Sequence, residues 1–220
     1  MSDCCSPRGY RWIFSEKGAE GQARDYRRKG LDRISRQIVD YVRQQGVEGH
    51  TVLEVGGGVG STQIELLKAG ARNALSCELT PTYERVAGDL LRESGLEGRV
   101  DRRIMDFAAA GEDVPDADIV ILNRVICCYP DMPRLAGAAA DHCAQLLVLS
   151  FPRDSWWIRG GLAFGNFLLR LTRREFQVFV HPPRQIRETA ERHGMRAVLD
   201  RQGTFWTVAA FRRQTVTPQG

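Results

Sequence analysis

Between Thr51 and Leu67 the chain reads TVLEVGGGVGSTQIELL, with four glycines among the five positions 56–60. Glycine weakens regular structure wherever it sits inside it, so a cluster directly behind an apolar, β-branched run marks a turn. The TVLEV segment in front is expected to be a buried strand. STQIELLKAG behind it is expected to be a helix, with Ser61 near its start and Gly70 past its end. Strand, glycine-rich turn and helix in that order make the first βα unit of a nucleotide-binding sheet, where glycine lets the backbone approach a ligand closely. The spacing is G-x-G-x-G at Gly56, Gly58 and Gly60, with Gly57 inside it and Glu54 ahead of it. An acid in that place suits a ligand carrying an ammonium group better than one carrying a pyrophosphate.

The alternation continues downstream. ARNALSCEL, RVDRRIM, DADIVILNRVI and QLLVLSF read as further strands, and TPTYERVAGDLLRESG and PDMPRLAGAAADHCA as helices, the pattern of a parallel sheet covered on both faces. The end of the chain departs from it. After the helical RQIRETAERHG, the strands MRAVLDRQ and TFWTVAAFRR are parted only by Gly203 and its neighbours. That link is too short for a parallel crossover, so the pair is an antiparallel hairpin. Upstream, GQARDYRRKGLDRISRQIVDYVRQQG reads as one helix with Leu31, Ile34, Ile38, Val39 and Val42 on a shared face and Gly46 at its end. The expected fold class is α/β, a Rossmann-like, doubly wound sheet of seven strands, mostly parallel with an antiparallel last strand. It carries an N-terminal helical cap (21–46) and a lid insertion (153–181) within a domain spanning 21–214, flanked by a flexible tail over 1–20 and a short one over 215–220.

Composition narrows the classes of function. A net charge of +4 on 220 residues is too small to argue for nucleic acid, and no basic-aromatic binding module is appended. No run reaches the roughly 18 apolar residues that a membrane span needs, and the opening MSDCCSPRGY has no apolar signal-peptide core. The expectation is a cytoplasmic protein whose six cysteines are reduced thiols. Neither Cys4-Cys5 nor Cys127-Cys128 has the C-x-x-C spacing of a zinc site, and no metal site is expected.

Three further positions fall at expected strand tips. Glu78 with Leu79 closes the second strand about twenty residues past the glycines, where a carboxylate accepts the two ribose hydroxyls of an adenosine. Asp106 and Phe107 follow the third strand, suited to take an adenine amino group and to pack on its ring. Asn123-Arg124 end the fourth. Together VLEVGGGVG, CEL, MDF and ILNRV resemble the seven-stranded, S-adenosylmethionine-dependent methyltransferases over roughly residues 30–212. The resemblance implies S-adenosylmethionine as cofactor. Glu54 and the loop of Gly56, Gly57, Gly58 and Gly60 would hold its methionine part, Glu78 the ribose, and Asp106 with Phe107 the adenine. Asn123 would stand near the sulfonium, and Tyr26 and Arg27 would close over the cofactor.

The acceptor is sought between Asn123 and Pro183. ICCYP, LVLSFP and the basic-aromatic stretch after them resemble the magnesium-protoporphyrin O-methyltransferases, which methylate a propionate carboxylate on a large apolar ring. Where that family carries a histidine before the tyrosine, this chain has Cys127-Cys128 before Tyr129, so a role tied to that histidine does not transfer. His181, in FVHPP, remains the acid–base candidate, with Tyr129 and Cys128 beside the expected methyl position. The inserted segment carries Trp157, Phe164, Phe167, Leu168 and Leu171 at helical spacing among Arg153, Arg159, Arg170, Arg173 and Arg174. It reads as a helix packed on the sheet edge, as a lid over a flat anionic substrate, or as a membrane-docking surface. Small-molecule O-methylation is the expected activity. Thiol-assisted methylation of a soft metalloid, with Cys4-Cys5 folding back to Cys127-Cys128, and a non-catalytic cofactor-fold subunit stand as alternatives.

Overall fold

The structure is a computed structural model that describes residues 10, 14–109, 113–172 and 176–214. Cys4-Cys5, Arg173 and Arg174 lie outside the described residues. Seven strands form one sheet: β1 (Thr51–Val55), β2 (Asn73–Glu78), β3 (Val100–Ile104), β4 (Ala117–Asn123), β5 (Cys143–Pro152), β6 (Met195–Gln202) and β7 (Trp206–Arg213). Their order is β3-β2-β1-β4-β5-β7-β6. All neighbours among β1 to β5 pair parallel, and β7 runs antiparallel to both β5 and β6. The tight turn after β6, in which the Gly203 N–H donates to the Trp206 carbonyl at 2.8 Å, forces that reversal. The order of winding switches between β1 and β4, and such a switch opens a crevice at the strands' carboxyl ends.

Seven helices flank the sheet among the described residues: α1 (Glu16–Lys29), α2 (Arg33–Gln45), α3 (Ser61–Lys68), α4 (Glu84–Glu93), α5 (Met132–Asp141), α6 (Trp156–Leu171) and α7 (Pro183–Arg192). Side chains alternate across each strand. Leu53, Val55, Val120 and Leu122 therefore face one layer, where Leu135 and Ala139 of α5 and Ile186 of α7 pack. Val52, Ile119 and Ile121 face the other, against Ile38, Val42, Ile64 and Leu90. Edge strand β3 exposes Asp101, paired with the half-exposed Arg103, and such charges discourage pairing with another chain.

Several expected boundaries are corrected. The N-terminal cap is two helices, not one. Gly30 takes φ 71° and the Asp32 carboxylate accepts from the Ile34 and Ser35 N–H groups, ending α1 and starting α2. Nor is the segment before residue 21 all irregular: Ser15 caps α1 at Glu16, Tyr10 is buried, and the rings of Tyr10 and Phe14 meet Phe176 edge-on. Strand β5 begins at Cys143, which the sequence reading put in the preceding helix. The TPTY segment forms a 3-10 turn over Pro81–Tyr83 before α4.

Candidate active site

A cavity of 690 Å³ opens at the carboxyl ends of β1, β2, β3 and β4, roofed by α1, α2 and the link between them. Its floor is the β1–α3 turn. Gly56 takes φ 65°, and a Cβ there would stand 2.7 Å from Val125; at Gly57 an added Cβ would stand 2.5 Å from the Glu54 carboxyl carbon. Only bare backbone fits at these two positions.

Glu54 shares a strand face with Val52 and points toward the start of α3. It is 1% exposed and neither carboxylate oxygen finds a hydrogen-bond partner among the described residues. Burial pushes its carboxyl up to about 7, against the opposing influence of the Thr62 hydroxyl, Arg102 and the Gln63 N–H. Glu78 closes β2 and is also buried; one oxygen accepts the Gly58 N–H at 2.5 Å. Burial raises this carboxyl to about 7 as well, with Gly58 and Arg102 pulling it down and Glu54 and Glu84 pushing it up. Arg102 links the two sites. It reaches from β3 to donate to the Gly58 carbonyl at 3.1 Å and pairs with Glu84 at 2.8 Å.

On the far wall Asp106 accepts the Ala108 N–H at 3.2 Å and the Tyr129 hydroxyl, 3.2 Å from each carboxylate oxygen. Burial, then the charge of Asp106, holds the Tyr129 phenol up to about 12. At the tip of β4 the Asn123 amide donates to Ser35 at 2.9 Å and accepts from the Ser150 hydroxyl at 2.7 Å. Arg124 takes φ 64°, the one positive φ outside glycine among the described residues. Its N–H donates to Ser150 at 2.8 Å, and its guanidinium bonds Asp32 and Ser35 and lies 6.0 Å from the Trp206 ring. Burial pulls the Asp32 carboxyl upward, but Arg124 and Ser35 together hold it below the ordinary range.

Of the residues expected at a cofactor site, Glu54, Gly56, Gly57, Gly58, Glu78, Leu79, Asp106, Phe107 and Asn123 line this one cavity, as do Cys128 and Tyr129. Gly60 does not; it takes φ 79° and caps α3. Phe107 is committed to the core, its ring 5.6 Å from His142. Tyr26 lines the cavity and donates to Glu65 at 2.6 Å, whereas Arg27 stays at the surface with Glu93. His181 is not part of the lining. Its Nε2 lies 3.1 Å from the Tyr129 carbonyl, and burial lowers its pKa against the pull of the Tyr129 and Ile126 carbonyls. The Phe179 N–H donates to the Cys127 carbonyl at 2.7 Å, so the segment around His181 clamps the turn over Ile126–Cys128 rather than meeting a ligand. In that turn the Cys127 and Cys128 sulfurs lie 3.8 Å apart.

Tyr10, Phe14, Gln22, Tyr83, Asp32 and Ser35 also line the cavity and were not foreseen as site residues. Asp32 carried one legible signal, a capping residue two positions after a glycine; the others reach the site only through tertiary packing, Gln22 and Ser35 from α1 and α2, Tyr10 and Phe14 from ahead of α1, and Tyr83 from the turn before α4.

No family model and no curated protein matches the chain. Solved structures do. A magnesium protoporphyrin IX methyltransferase from Synechocystis PCC 6803, solved with bound SAH, is 22% identical, with 93% of this chain and 98% of that one covered at a TM-score of 0.71. An O-methyltransferase family protein from Burkholderia thailandensis is 20% identical over 93% of this chain and 64% of its own, at a TM-score of 0.67. An O-methyltransferase family 2 protein from Planctomyces limnophilus, in complex with apigenin, is 16% identical over 90% and 62%, at 0.66. With its winding switch, its glycine turn and its single antiparallel strand, the chain has the seven-stranded fold of these methyltransferases.

Proposed function

We propose that the protein is an S-adenosylmethionine-dependent methyltransferase acting on an oxygen of a small apolar or aromatic molecule, with a porphyrin-type carboxylate as the leading acceptor class. The observation that carries the reading is the convergence of three acids on one cavity: Glu54, Glu78 and Asp106, from the tips of β1, β2 and β3, beside a turn where a side chain would clash. A buried carboxylate without a partner is costly. Glu54 becomes favourable once an ammonium group stands near it, and the cofactor's methionine end carries one. Glu78 has a second oxygen for ribose hydroxyls, and Asp106, held by Tyr129 and Ala108, is oriented to accept from an adenine amino group. When bound, the cofactor supplies an electrophilic methyl on a positively charged sulfur.

The chain's own part is positioning. A carboxylate acceptor is already ionised and needs no base, so alignment of acceptor oxygen, methyl carbon and sulfur supplies most of the acceleration. A Tyr129 phenol near 12 is a poor base at neutral pH, and its place beside Asp106 makes it an orienting group. Arg124, at the end of β4, and Arg36 of α2 both stand on the cavity wall and offer guanidinium groups to an anionic acceptor there. Calorimetry with S-adenosylmethionine, then turnover of methyl-labelled cofactor against porphyrins, quinols and phenolic acids, tests this. Absence of cofactor binding at high micromolar concentration overturns it.

A second reading rests on Cys128, which lines the cavity, with the buried Cys127 sulfur 3.8 Å behind it. Two adjacent thiolates suit a soft trivalent metalloid as methyl acceptor. Labelled-methyl transfer to arsenite that disappears in a Cys127→Ser, Cys128→Ser variant supports it, and its absence in the parent protein excludes it.

A further inference from the structure

Helix α6 is built the wrong way round for a surface helix. At about 100° per residue, Trp156, Trp157, Phe164, Phe167, Leu168 and Leu171 fall on one arc, interrupted only by glycine, and all six are exposed: Trp156 by 85%, Phe164 and Leu171 by 64% each. Ile158 alone is buried on this helix. No charged residue falls on the exposed arc. Arg159 and Arg170 stand at its edge and Arg153 just before it, all exposed. The one carboxylate among the described residues of the segment, Asp154, is taken by Arg159 through two bonds of 2.5 and 2.9 Å. A continuous apolar patch of this kind marks a surface that something covers.

We infer that this face docks on an anionic phospholipid bilayer. Indole and phenyl rings enter the boundary between headgroups and acyl chains, and flanking arginines meet lipid phosphates. A second copy of the chain answers the same patch less well, since its α6 offers those arginines no unengaged carboxylate. At 16 residues the helix is too short to cross a bilayer, which takes about 20, and none of the described helices qualifies as a span. The face is also tied to the cavity. The Asn166 amide bonds both the N–H and the carbonyl of Val178 at 2.9 and 2.8 Å, and the segment beyond it clamps the Ile126–Cys128 turn through Phe179 and His181. Docking through α6 is therefore linked by hydrogen bonds to the turn whose Cys128 lines the cavity.

The test needs neither cofactor nor turnover, so its outcome is separate from that of the proposed reaction. The full chain is sedimented with vesicles of phosphatidylcholine alone and of phosphatidylcholine with about one third phosphatidylglycerol, and tryptophan emission is recorded. The expected result is a blue shift and association at least about tenfold tighter on the anionic vesicles, with a Phe164→Asp, Phe167→Asp variant more than about tenfold weaker. Both side chains are exposed, so the variant should melt with the parent protein. Three results overturn the inference: no association with either vesicle; association indifferent to lipid charge or to the two substitutions; or a dimer that the variant converts to a monomer, without vesicle binding.

Discussion

Replacing Glu54 with Gln tests the central feature of the site without adding or removing volume. In the folded protein burial holds the Glu54 carboxyl near 7, against an ordinary 4.5, and the unfolded chain returns it to the ordinary value. Between these two values the folded state binds a proton that the unfolded state does not, so stability falls as pH rises through this window and levels off above it. The rise from 4.5 to about 7 corresponds to about 3 kcal/mol against the ionised form. The stability difference between Glu54→Gln and the parent should therefore grow by about 3 kcal/mol from about pH 4.5 to about pH 8, or about 6–12 °C in Tm for a chain of this size. Any fixed effect of the amide on packing cancels in that comparison. Thermal melts of the two proteins across the range provide the assay. Saturating S-adenosylmethionine should shrink the pH effect in the parent, because an ammonium beside the carboxylate stabilises its ionised form, and for the same reason cofactor affinity should rise with pH through 7. A Tm difference that stays constant across the range would refute the buried, unpartnered carboxylate on which the reading depends.

Other consequences follow from the same geometry. Gly57→Ala should abolish cofactor binding in calorimetry, because its Cβ meets the Glu54 carboxyl at 2.5 Å; near-normal affinity would show that the turn yields. Glu78→Ala should weaken cofactor binding by about ten- to a hundredfold through lost hydrogen bonds to a charged acceptor, read by the same titration. At Arg124, φ 64° makes Gly better tolerated than Ala, so Arg124→Gly should melt about 1 kcal/mol above Arg124→Ala, while both variants raise KM for an anionic acceptor and leave cofactor affinity unchanged. His181→Asn should lower activity without shifting the pH–rate profile between about 5 and 8, since the ring bonds carbonyls rather than facing the cavity; loss of a limb of that profile would restore an acid–base role.

Much of the site was legible because its residues sit at strand tips. A strand's end is a local event, set by where β-branched residues give way to glycine or to a helix start, and a winding switch brings successive tips to one crevice. Glu54, Glu78, Asp106 and Asn123 could therefore be placed from spacing. His181 could not. Its two prolines and its titration range suited a catalytic histidine, yet the carbonyls of Ile126 and Tyr129 claim its ring, and nothing local encodes that they lie within reach. The break between α1 and α2 was visible in Gly30 and Asp32, but the apolar periodicity from Leu31 to Val42 ran close enough to obscure it.

What the amino-acid order determined alone is therefore the layered α/β architecture, the reversed last strand and the acids around the crevice, all products of short-range pattern. Tertiary structure alone decided which parts of α1 and α2 roof the cavity, why Arg124 is strained and engaged by Asp32, and that the apolar arc of α6 faces outward. A periodic pattern reports that a face is apolar; only the long-range packing of the whole chain decides whether anything covers it.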